Sequence, residues 1–390
     1  MKKGCYLFLV LKLFMVSCTE EGNLPYVVRI RLLSPEGYPA LPLEKMKVTL
    51  TNKELGTVYS SPSSVDGVAS FTIESGYYAV SVHYQTKAGL IFSGRIESLS
   101  LFSGHEENPD IIDLPLLQSE TSALIIKEIY FGGCKGVLNE DYQADQYVTL
   151  YNNSDQTIYL DGLCVGVVDP GNSLESPWIQ QTDMKRIPVN DLTWQFPGSG
   201  REYPLHPGEE TTIATNAVDH TGGEFQHTNS VDLSSVDWGF WDASLPRQNI
   251  TAGVKPMKLL ANLNPFLIMY AFPVGGPTFM VFDLQDSPEE YVQNPDNREP
   301  RPGVANRDKR YLMIPHEWIL DCIECVRDAS APKRVPGVLD NGKCYIPGKR
   351  YSGRSVIRKK AGTAEGRSIY QDTNNSSDDM EVSYPSLKIN

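Results

Sequence analysis

Short stretches of alternating apolar and polar residues recur along the chain, and this pattern limits its fold more than any other feature. Residues 28–32 place Val, Ile and Leu on one face of an extended strand and two Arg on the other. The alternation returns over residues 47–51, 68–73 and 78–84, with an Asp66-Gly67 turn signal before the third stretch. Short strands spaced about ten residues apart predict an antiparallel β-sandwich.

A second β pattern begins after a polar joint at residues 119–122. Residues 124–130 form one predicted strand, residues 146–155 a strand that runs into an Asn/Ser/Asp turn, and residues 158–163 a third. A chain of 390 residues has room for two or three domains at roughly 150 residues each. We therefore predict an all-β protein with two antiparallel β-sandwich domains in series.

The first domain, residues 25–118, resembles transthyretin-like or carboxypeptidase-regulatory-like modules. These modules share a "D-G-x-A-x-F" stretch followed by "G-x-Y-x-V". The chain supplies Asp66-Gly67-Val68-Ala69-Ser70-Phe71 and then Gly76-Tyr77-Tyr78-Ala79-Val80. The resemblance implies a spacer that holds another domain away from a membrane.

The second domain, residues 119–390, resembles the lamin-tail domain, an immunoglobulin-like sandwich. The likeness rests on the three stretches 124–130, 146–155 and 158–163, on 206–214 with the family's "P-G-E" turn, and on the closing stretch 371–380, whereas Thr149 and Leu163 depart from the family pattern. The matching pieces span far more than the ~100 residues of a minimal sandwich. A large insertion with short helices is therefore expected at about residues 215–340, and Ser287-Pro288-Glu289-Glu290 is a typical helix start.

The first residues form a predicted lipoprotein signal. Residues 1–17 combine a positive start with an apolar run too short to span a bilayer, and Met15-Val16-Ser17-Cys18 resembles a bacterial lipobox. That resemblance implies acylation of Cys18, while the alternative is an ordinary secretory signal with an incidental Cys. Residues 18–24 would be a tether, in which Glu20 and Glu21 resemble the surface-export signal of Bacteroidetes lipoproteins; a solvated linker is the alternative.

Five cysteines remain beyond the signal and the lipid site, and their pairing is left open. Residues 316–326 are predicted as a helix after Pro315, whose apolar face would carry Cys322. Buried thiols, a disulfide, or a metal site that includes Cys322-x-x-Cys325 are the three interpretations. The thiols concerned are Cys134, Cys164, Cys322, Cys325 and Cys344.

Loops carry recognition more often than strands do, so candidate binding residues are sought in the insertion. Residues 219–227 hold two His among acids and glycines, and they indicate either a metal site or a polar surface loop. Trp238, Phe240 and Trp241 cluster beside two Asp, and they could stack on a sugar or porphyrin or fill a satellite core. Asp372–Asp379 could hold calcium, although an Asx-rich turn also explains them.

The net charge of −13 is unevenly distributed, which matters for the choice of partner. Residues 18–290 carry a net −20 and residues 291–390 a net +4, with nine basic residues between 333 and 360. Solvated strand faces are one interpretation; the other is a basic strip for an anionic ligand such as an acidic glycan. The strip's candidate contacts are Lys349, Arg350, Arg354 and Arg358. The acidic remainder argues against nucleic acid.

No hydrolase, metalloprotease or phosphate-loop motif occurs, so we predict no enzyme, no cofactor and no catalytic residue. The predicted protein is a surface lipoprotein that is anchored in the bacterial outer membrane, faces the exterior and acts in non-catalytic binding, adhesion or interaction. The first sandwich would be the spacer and the second the recognition domain. The alternative is an accessory protein of nutrient uptake that passes an iron chelate, haem or glycan to an outer-membrane transporter. Its partner would be that transporter or an extracellular glycan or protein.

Overall fold

The computed structural model describes residues 26–35, 37–86, 90–102, 110–223, 225–285, 287–305, 307–348 and 350–388. Chain contacts divide them into two compact units. The first unit comprises the described residues of Met1–Leu32, Leu43–Val80 and Ile96–Leu114, and the second those of Leu33–Pro42, Ser81–Arg95 and Pro115–Asn390. No helix among the described residues is long and apolar enough to cross a bilayer.

The N-terminal strands form two antiparallel sheets. One has the order β4-β1-β7 and the other the order β3-β2-β5-β6-β8. Strand β1 is buried at every second residue because its Val and Ile side chains alternate with Arg, as predicted from the sequence. The strands are β1 (Tyr26–Leu33), β2 (Lys47–Asn52), β3 (Val58–Pro62), β4 (Val68–Ile73), β5 (Gly76–Gln85), β6 (Leu90–Leu101), β7 (Asp110–Pro115) and β8 (Leu117–Glu120).

The remaining strands are mostly arranged in two seven-stranded sheets. Their bounds are β9 (Leu124–Tyr130), β10 (Cys134–Lys135), β11 (Asp141–Tyr142), β12 (Tyr147–Asn152), β13 (Ile158–Tyr159), β14 (Cys164–Val168), β15 (Arg186–Gln195), β16 (Pro204–Leu205), β17 (Glu210–Ala214), β18 (Trp238–Gly239), β19 (Lys255–Pro256), β20 (Lys258–Asn262), β21 (Thr278–Phe282), β22 (Arg298–Pro300), β23 (Arg310–Pro315), β24 (Ile319–Glu324), β25 (Ser355–Arg358), β26 (Lys360–Ala364), β27 (Arg367–Tyr370) and β28 (Met380–Ser383). The helices described are short: α1 (Pro177–Gln181), α2 (Pro288–Gln293), α3 (Ser376–Asp379), and single 3₁₀ turns at Pro295–Asn297 and His316–Trp318.

These two sheets pack face to face around the largest apolar cluster. The first sheet has the order β19-β18-β17-β12-β9-β25-β28; the second has the order β22-β23-β15-β14-β21-β24, with β20 also paired to β15. Ile126 and Val148 from the first sheet meet Val165 and Trp194 from the second in this core. Apart from the short parallel pairs that β18 makes, the pairing within both sheets is antiparallel. The prediction of an all-β sandwich fold with a few short helices is confirmed.

The central strands of the second sheet are buried on both faces. Every residue of β14 and β21 is buried, because their other face packs into a second cluster that includes Trp178 of α1 and Val292 of α2. The residues expected to form an insertion, 215–340, supply β18–β24. Strands β18 and β19 join the first sheet, and β20–β24 make up most of the second sheet.

The predicted helix over residues 316–326 is wrong. A single 3₁₀ turn at His316–Trp318 follows Pro315, and the chain then continues as β24, paired with β21. The error has a physical cause: a strand buried on both faces reads as a continuous apolar run, which periodicity cannot distinguish from a buried helix. The predicted helix start at Ser287 is correct, since α2 begins at Pro288.

Candidate functional site

A cleft in the second unit lies beside the turn that follows β20. Its volume is about 780 Å³, and it is open to solvent. Residues of the β20–β21 connection form one wall, and the segment from the end of α2 to the start of β23 forms the other. The lining residues are Asn262, Leu263, Asn264, Pro265, Phe266, Gln293, Pro295, Arg298, Asp308, Lys309 and Arg310. We call this the Phe266 cleft.

Phe266 is held on the rim by a well-defined turn. The Asn262 side chain accepts a hydrogen bond from the Asn264 amide at 2.8 Å, and the Leu267 amide donates to the Asn264 carbonyl at 3.0 Å. Pro265 occupies the second position of this turn, where its fixed φ is favourable. Leu267 packs against the main core, whereas the Phe266 side chain is 90% exposed. The turn therefore presents an aromatic ring to solvent from an anchored backbone.

Asp191 connects the two walls of the cleft. Its carbonyl accepts a hydrogen bond from the Leu263 amide at 2.7 Å, and its carboxylate accepts one from Lys309 Nζ at 2.6 Å. Burial opposes the charge of Lys309, but the hydrogen bond and the charge of Asp191, together with Tyr311 and Asp169, outweigh it and raise the pKa of Lys309. On the same side, Lys258 of β20 pairs with Glu289 of α2. These links fix the separation of the walls.

The cleft lining is more basic than acidic. Arg298, Lys309 and Arg310 line it together with a single acid, Asp308. Arg310 donates from Nε and Nη2 to the Arg298 carbonyl. The Nε–H of Arg298 is buried and has no acceptor among the described residues. Water or an oxygen of a bound molecule would satisfy such a donor.

Two of the three residues in the predicted aromatic cluster lie in the protein core. Trp238 and Phe240 are buried at 2% and 0% exposure, and only Trp241 is half-buried. Trp238 packs edge-on to Phe196 and Tyr203, and Phe240 packs beside Trp194 and Tyr270. Strand β18 is part of the first sheet, and Trp238 and Phe240 belong to the main sandwich core rather than to a separate satellite core.

The predicted basic strip is dispersed rather than continuous. Arg358 is 3% exposed and bonds to buried acids, and the Arg354 guanidinium lies 3.6 Å from the centre of the Tyr384 ring. Arg350 is exposed at the edge of a separate cavity of about 50 Å³. Lys349 lies outside the described residues, as do Cys18, Glu20 and Glu21.

Much of the basic charge between residues 333 and 360 neutralises buried acids. Arg334 is fully buried and donates to the carbonyls of Pro170, Gly171, Gly276 and Cys325. Its backbone amide and its Nε both donate to the Glu324 carboxylate, to which Lys333 Nζ also donates at 2.8 Å. A buried carboxylate needs such partners, because an uncompensated buried charge is strongly destabilising.

Residues 372–379, which were considered as a calcium site, are organised around Arg358. The Arg358 guanidinium donates to Asp321 at 2.8 Å and to Asp372 at 3.0 Å, and it lies 3.6 Å from Asp379. Asp379 also accepts from the Thr373 and Asn375 amides, which closes the Asx-rich turn. We call Arg358, Asp321, Asp372 and Asp379 the Arg358 hub. It holds a guanidinium where the calcium hypothesis placed a metal ion.

Residues 219–227 are not a simple polar surface loop. His220 is completely buried; its Nδ1 lies 2.5 Å from the Tyr142 hydroxyl and its Nε2 lies 2.8 Å from the Asn216 carbonyl. Burial lowers the pKa of His220, so the ring is held neutral with both nitrogens engaged. Among the described residues, no group of three or more His, Cys, Asp or Glu is arranged to hold a metal ion.

Phe266 and its neighbours were missed in the sequence, although a signal was present. The run Leu263-Asn264-Pro265-Phe266-Leu267-Ile268-Met269 is strongly apolar around an Asn-Pro turn signal. Ile268 is also 47% exposed, so this turn presents two large apolar side chains to solvent. The position of Arg298 and Arg310 opposite this turn could not be anticipated, because it depends on the pairing of β15, β20, β22 and β23.

Comparison with known proteins gives a family likeness without an established activity. Residues 206–386 match a family described as "Protein of unknown function (DUF4876)". The chain is similar to the crystal structure of a DUF4876 family protein from Bacteroides thetaiotaomicron VPI-5482, with 26% identity and a TM-score of 0.60 over 92% of this chain and 95% of that one. Among curated proteins, none matches the sequence.

A second solved structure aligns far more weakly. It is described as a "putative adhesin" from Bacteroides ovatus ATCC 8483, with 10% identity and a TM-score of 0.22 over 83% of this chain and 93% of that one. This likeness is too distant to bear on fold or function. Neither the family nor the two structures is described as catalytic.

Proposed function

We propose that the protein is a non-catalytic binding protein of the bacterial cell envelope that takes an anionic glycan in the Phe266 cleft. The observation that carries this proposal is the 90% exposed Phe266 ring, which stands on the rim of a basic cleft of about 780 Å³. An exposed aromatic ring beside basic groups can cover the apolar face of a sugar while the cations bind its acidic substituents.

The shape and chemistry of the cleft favour an elongated, oxygen-rich ligand. The cleft is open rather than enclosed, so a chain can pass through it, and the exposed ring offers an apolar face to a sugar. Asn262 and Gln293 add polar side chains, and Arg298 supplies a buried donor without an acceptor. Lys309 is paired with Asp191, which leaves Arg298 and Arg310 beside the one lining acid, Asp308; the two guanidinium groups favour carboxylate or sulfate groups on the ligand.

The rest of the chain supports a display role. The lipobox-like residues 15–18 and the acidic pair Glu20-Glu21 favour an acylated protein that is exported to the cell surface. Residues 25–118 would then separate the cleft from the membrane. Burial of Trp238 and Phe240 removes the aromatic surface on which haem capture rested, so haem delivery to a transporter is not favoured.

Replacing Phe266 by Ala should weaken glycan binding about tenfold or more, because it removes a central aromatic contact worth roughly 1.4 kcal/mol or more. The measurement is titration of the detergent-solubilised full chain with polygalacturonate and heparin, with neutral dextran as the comparison polymer. Leu138→Ala is the matched control, since Leu138 is 88% exposed but does not line the cleft. Both substitutions should leave the melting temperature nearly unchanged.

The same titration can contradict the proposal in two ways. If neither acidic polymer binds, or if Phe266→Ala binds as tightly as the parent chain, the cleft is not the glycan site. Arg310→Ala should weaken binding to polygalacturonate and reduce its dependence on salt, because one ionic contact with the polymer is lost. Equal binding of dextran would argue against an anionic ligand.

Replacing Cys18 by Ser should release the protein from the membrane, because the hydroxyl cannot form the thioether that carries the lipid. Anchoring by several acyl chains is stable, at about 0.8 kcal/mol for each buried CH₂ group, and it is lost completely when they are absent. The measurement is fractionation of cells followed by mass analysis of the N-terminal peptide. Cys5→Ser is the matched control and should stay acylated and membrane-bound. A Cys18→Ser variant that remains acylated would refute the lipobox interpretation.

A further inference from the structure

We infer that Cys325 and Cys344 form a structural disulfide that closes the loop between them. Their sulfur atoms lie 3.6 Å apart in the core, at 0% and 8% exposure. The proposal is independent of the Phe266 cleft; it rests on the backbone geometry at these two positions and on the export to the envelope proposed above.

The backbone holds the two residues directly opposite each other. They are partners in a parallel β-bridge: the Cys344 amide donates to the Glu324 carbonyl at 2.9 Å, and the Val326 amide donates to the Cys344 carbonyl at 2.8 Å. Neighbouring strands lie about 4.8 Å apart, within the 4.4–6.8 Å range of Cα separations that disulfides use. Bond formation at about 2.05 Å therefore requires movement of the two side chains alone.

The nearby Cys322 does not compete for either partner. Cys322 and Cys325 are three residues apart in an extended segment, so their side chains point to opposite faces. Cys322 packs in the cluster around Trp178, whereas Cys325 and Cys344 pack in the main sandwich core. The Cys-x-x-Cys spacing is therefore neither a redox pair nor half of a zinc site in this fold.

The proposed disulfide would stabilise a segment that has little regular structure. Residues 326–343 contain no strand or helix in the structure, and they carry Lys333, Arg334 and Asp340 into the interior. Closing this loop reduces the conformational entropy of the unfolded chain. The bond therefore acts on the segment that supplies the partners of Glu324.

The reaction requires an oxidant, which export to the envelope would provide. A Cys thiolate attacks the disulfide of a dithiol-disulfide oxidant and forms a mixed disulfide; the second thiolate then displaces the reduced oxidant. Two thiols of the chain lose two protons and two electrons, and the oxidant's disulfide becomes two thiols. Burial also raises the pKa of Cys325, so this exchange is expected before the core closes.

Peptide mapping of the exported full chain tests the bond. The protein is alkylated with N-ethylmaleimide in denaturant and digested with trypsin without reduction. We expect residues 311–327 joined to residues 344–349, with the label on Cys134, Cys164 and Cys322. The bond should persist in Cys322→Ala and disappear in Cys325→Ala and Cys344→Ala. Label on both Cys325 and Cys344 in the exported protein, or a bond from Cys322 to Cys344, would overturn the inference.

A thermal measurement tests the structural role separately. Dithiothreitol should lower the melting temperature of the parent chain by roughly 5–10 °C and leave the Cys325→Ala/Cys344→Ala double variant unchanged. An equal response of the two proteins would refute the stabilising role. The mapping needs no substituted protein, so it stays decisive even if a variant fails to fold.

Discussion

Replacing Arg358 by Ala should lower the free energy of unfolding of the second unit by about 3–5 kcal/mol, because three buried carboxylates lose their shared cation. Asp321, Asp372 and Asp379 are all at most 8% exposed, and Arg358 also donates to the Ile126 carbonyl at 3.0 Å. The five tryptophans all lie between residues 178 and 318, so urea unfolding followed by tryptophan fluorescence reports on this unit. Lys360→Ala, an exposed cation on β26, should change stability by less than about 0.5 kcal/mol.

The loss of stability in Arg358→Ala should also depend on pH, and the carboxylates of the Arg358 hub determine whether it grows or shrinks as pH rises. Burial raises the pKa of Asp321 to about 7 and that of Asp379 to about 6, against 3.8 for an ordinary Asp. Between about pH 4 and 7 the native state therefore binds more protons than the unfolded state, so the contribution of these groups to stability falls as pH rises. Without Arg358 the carboxylates repel each other once ionised, and the variant should be relatively less stable at pH 8 than at pH 5. A loss of equal size at both pH values would contradict this account.

Replacing Arg334 by Lys should be almost as damaging as replacing it by Ala, at about 3–5 kcal/mol. The guanidinium donates in several directions at once, to four backbone carbonyls and to Glu324. A lysine ammonium is a compact donor and cannot span these acceptors, so buried carbonyls would be left without partners.

Urea unfolding of Arg334→Lys and Arg334→Ala measures this loss. Arg327→Ala is the matched control, because Arg327 lies on the same loop but makes an exposed pair with Asp328, which is worth at most about 1 kcal/mol. If Arg334→Lys is as stable as the parent chain, the directional bonds contribute little and charge alone accounts for the site.

The sequence was informative where a strand has one buried face. The alternation in β1 and β4 and the turn at Asp66-Gly67 were predicted with nearly the observed bounds. Prediction failed at β24, because most of this strand is covered on both faces and carries no alternation. The same burial explains why Trp238 and Phe240 line a core rather than a ligand site.

The candidate site was less predictable than the fold for a physical reason. Arg354 and Arg358 look alike in the sequence, yet only Arg358 faces buried acids, which come from residues 321, 372 and 379. Such pairing depends on contacts between distant segments. Charge counted along the chain therefore suggested a continuous basic strip, which the folded chain does not form. Phe266 could have been singled out as an aromatic residue in a Pro turn, but its exposure required the structure.

The double burial of the central strands of the second sheet has a consequence for the slow opening motions of the protein. Strand β14 is hydrogen-bonded on both sides, to β15 and β21, and every one of its residues is shielded from solvent. Its amide protons should therefore exchange with deuterium among the slowest in the chain, whereas those of the β26 strand, whose residues are all exposed, should exchange early. Because β15 also carries β20 and β23, the frame on which the Phe266 turn and Arg310 are mounted is joined directly to the most slowly opening part of the unit.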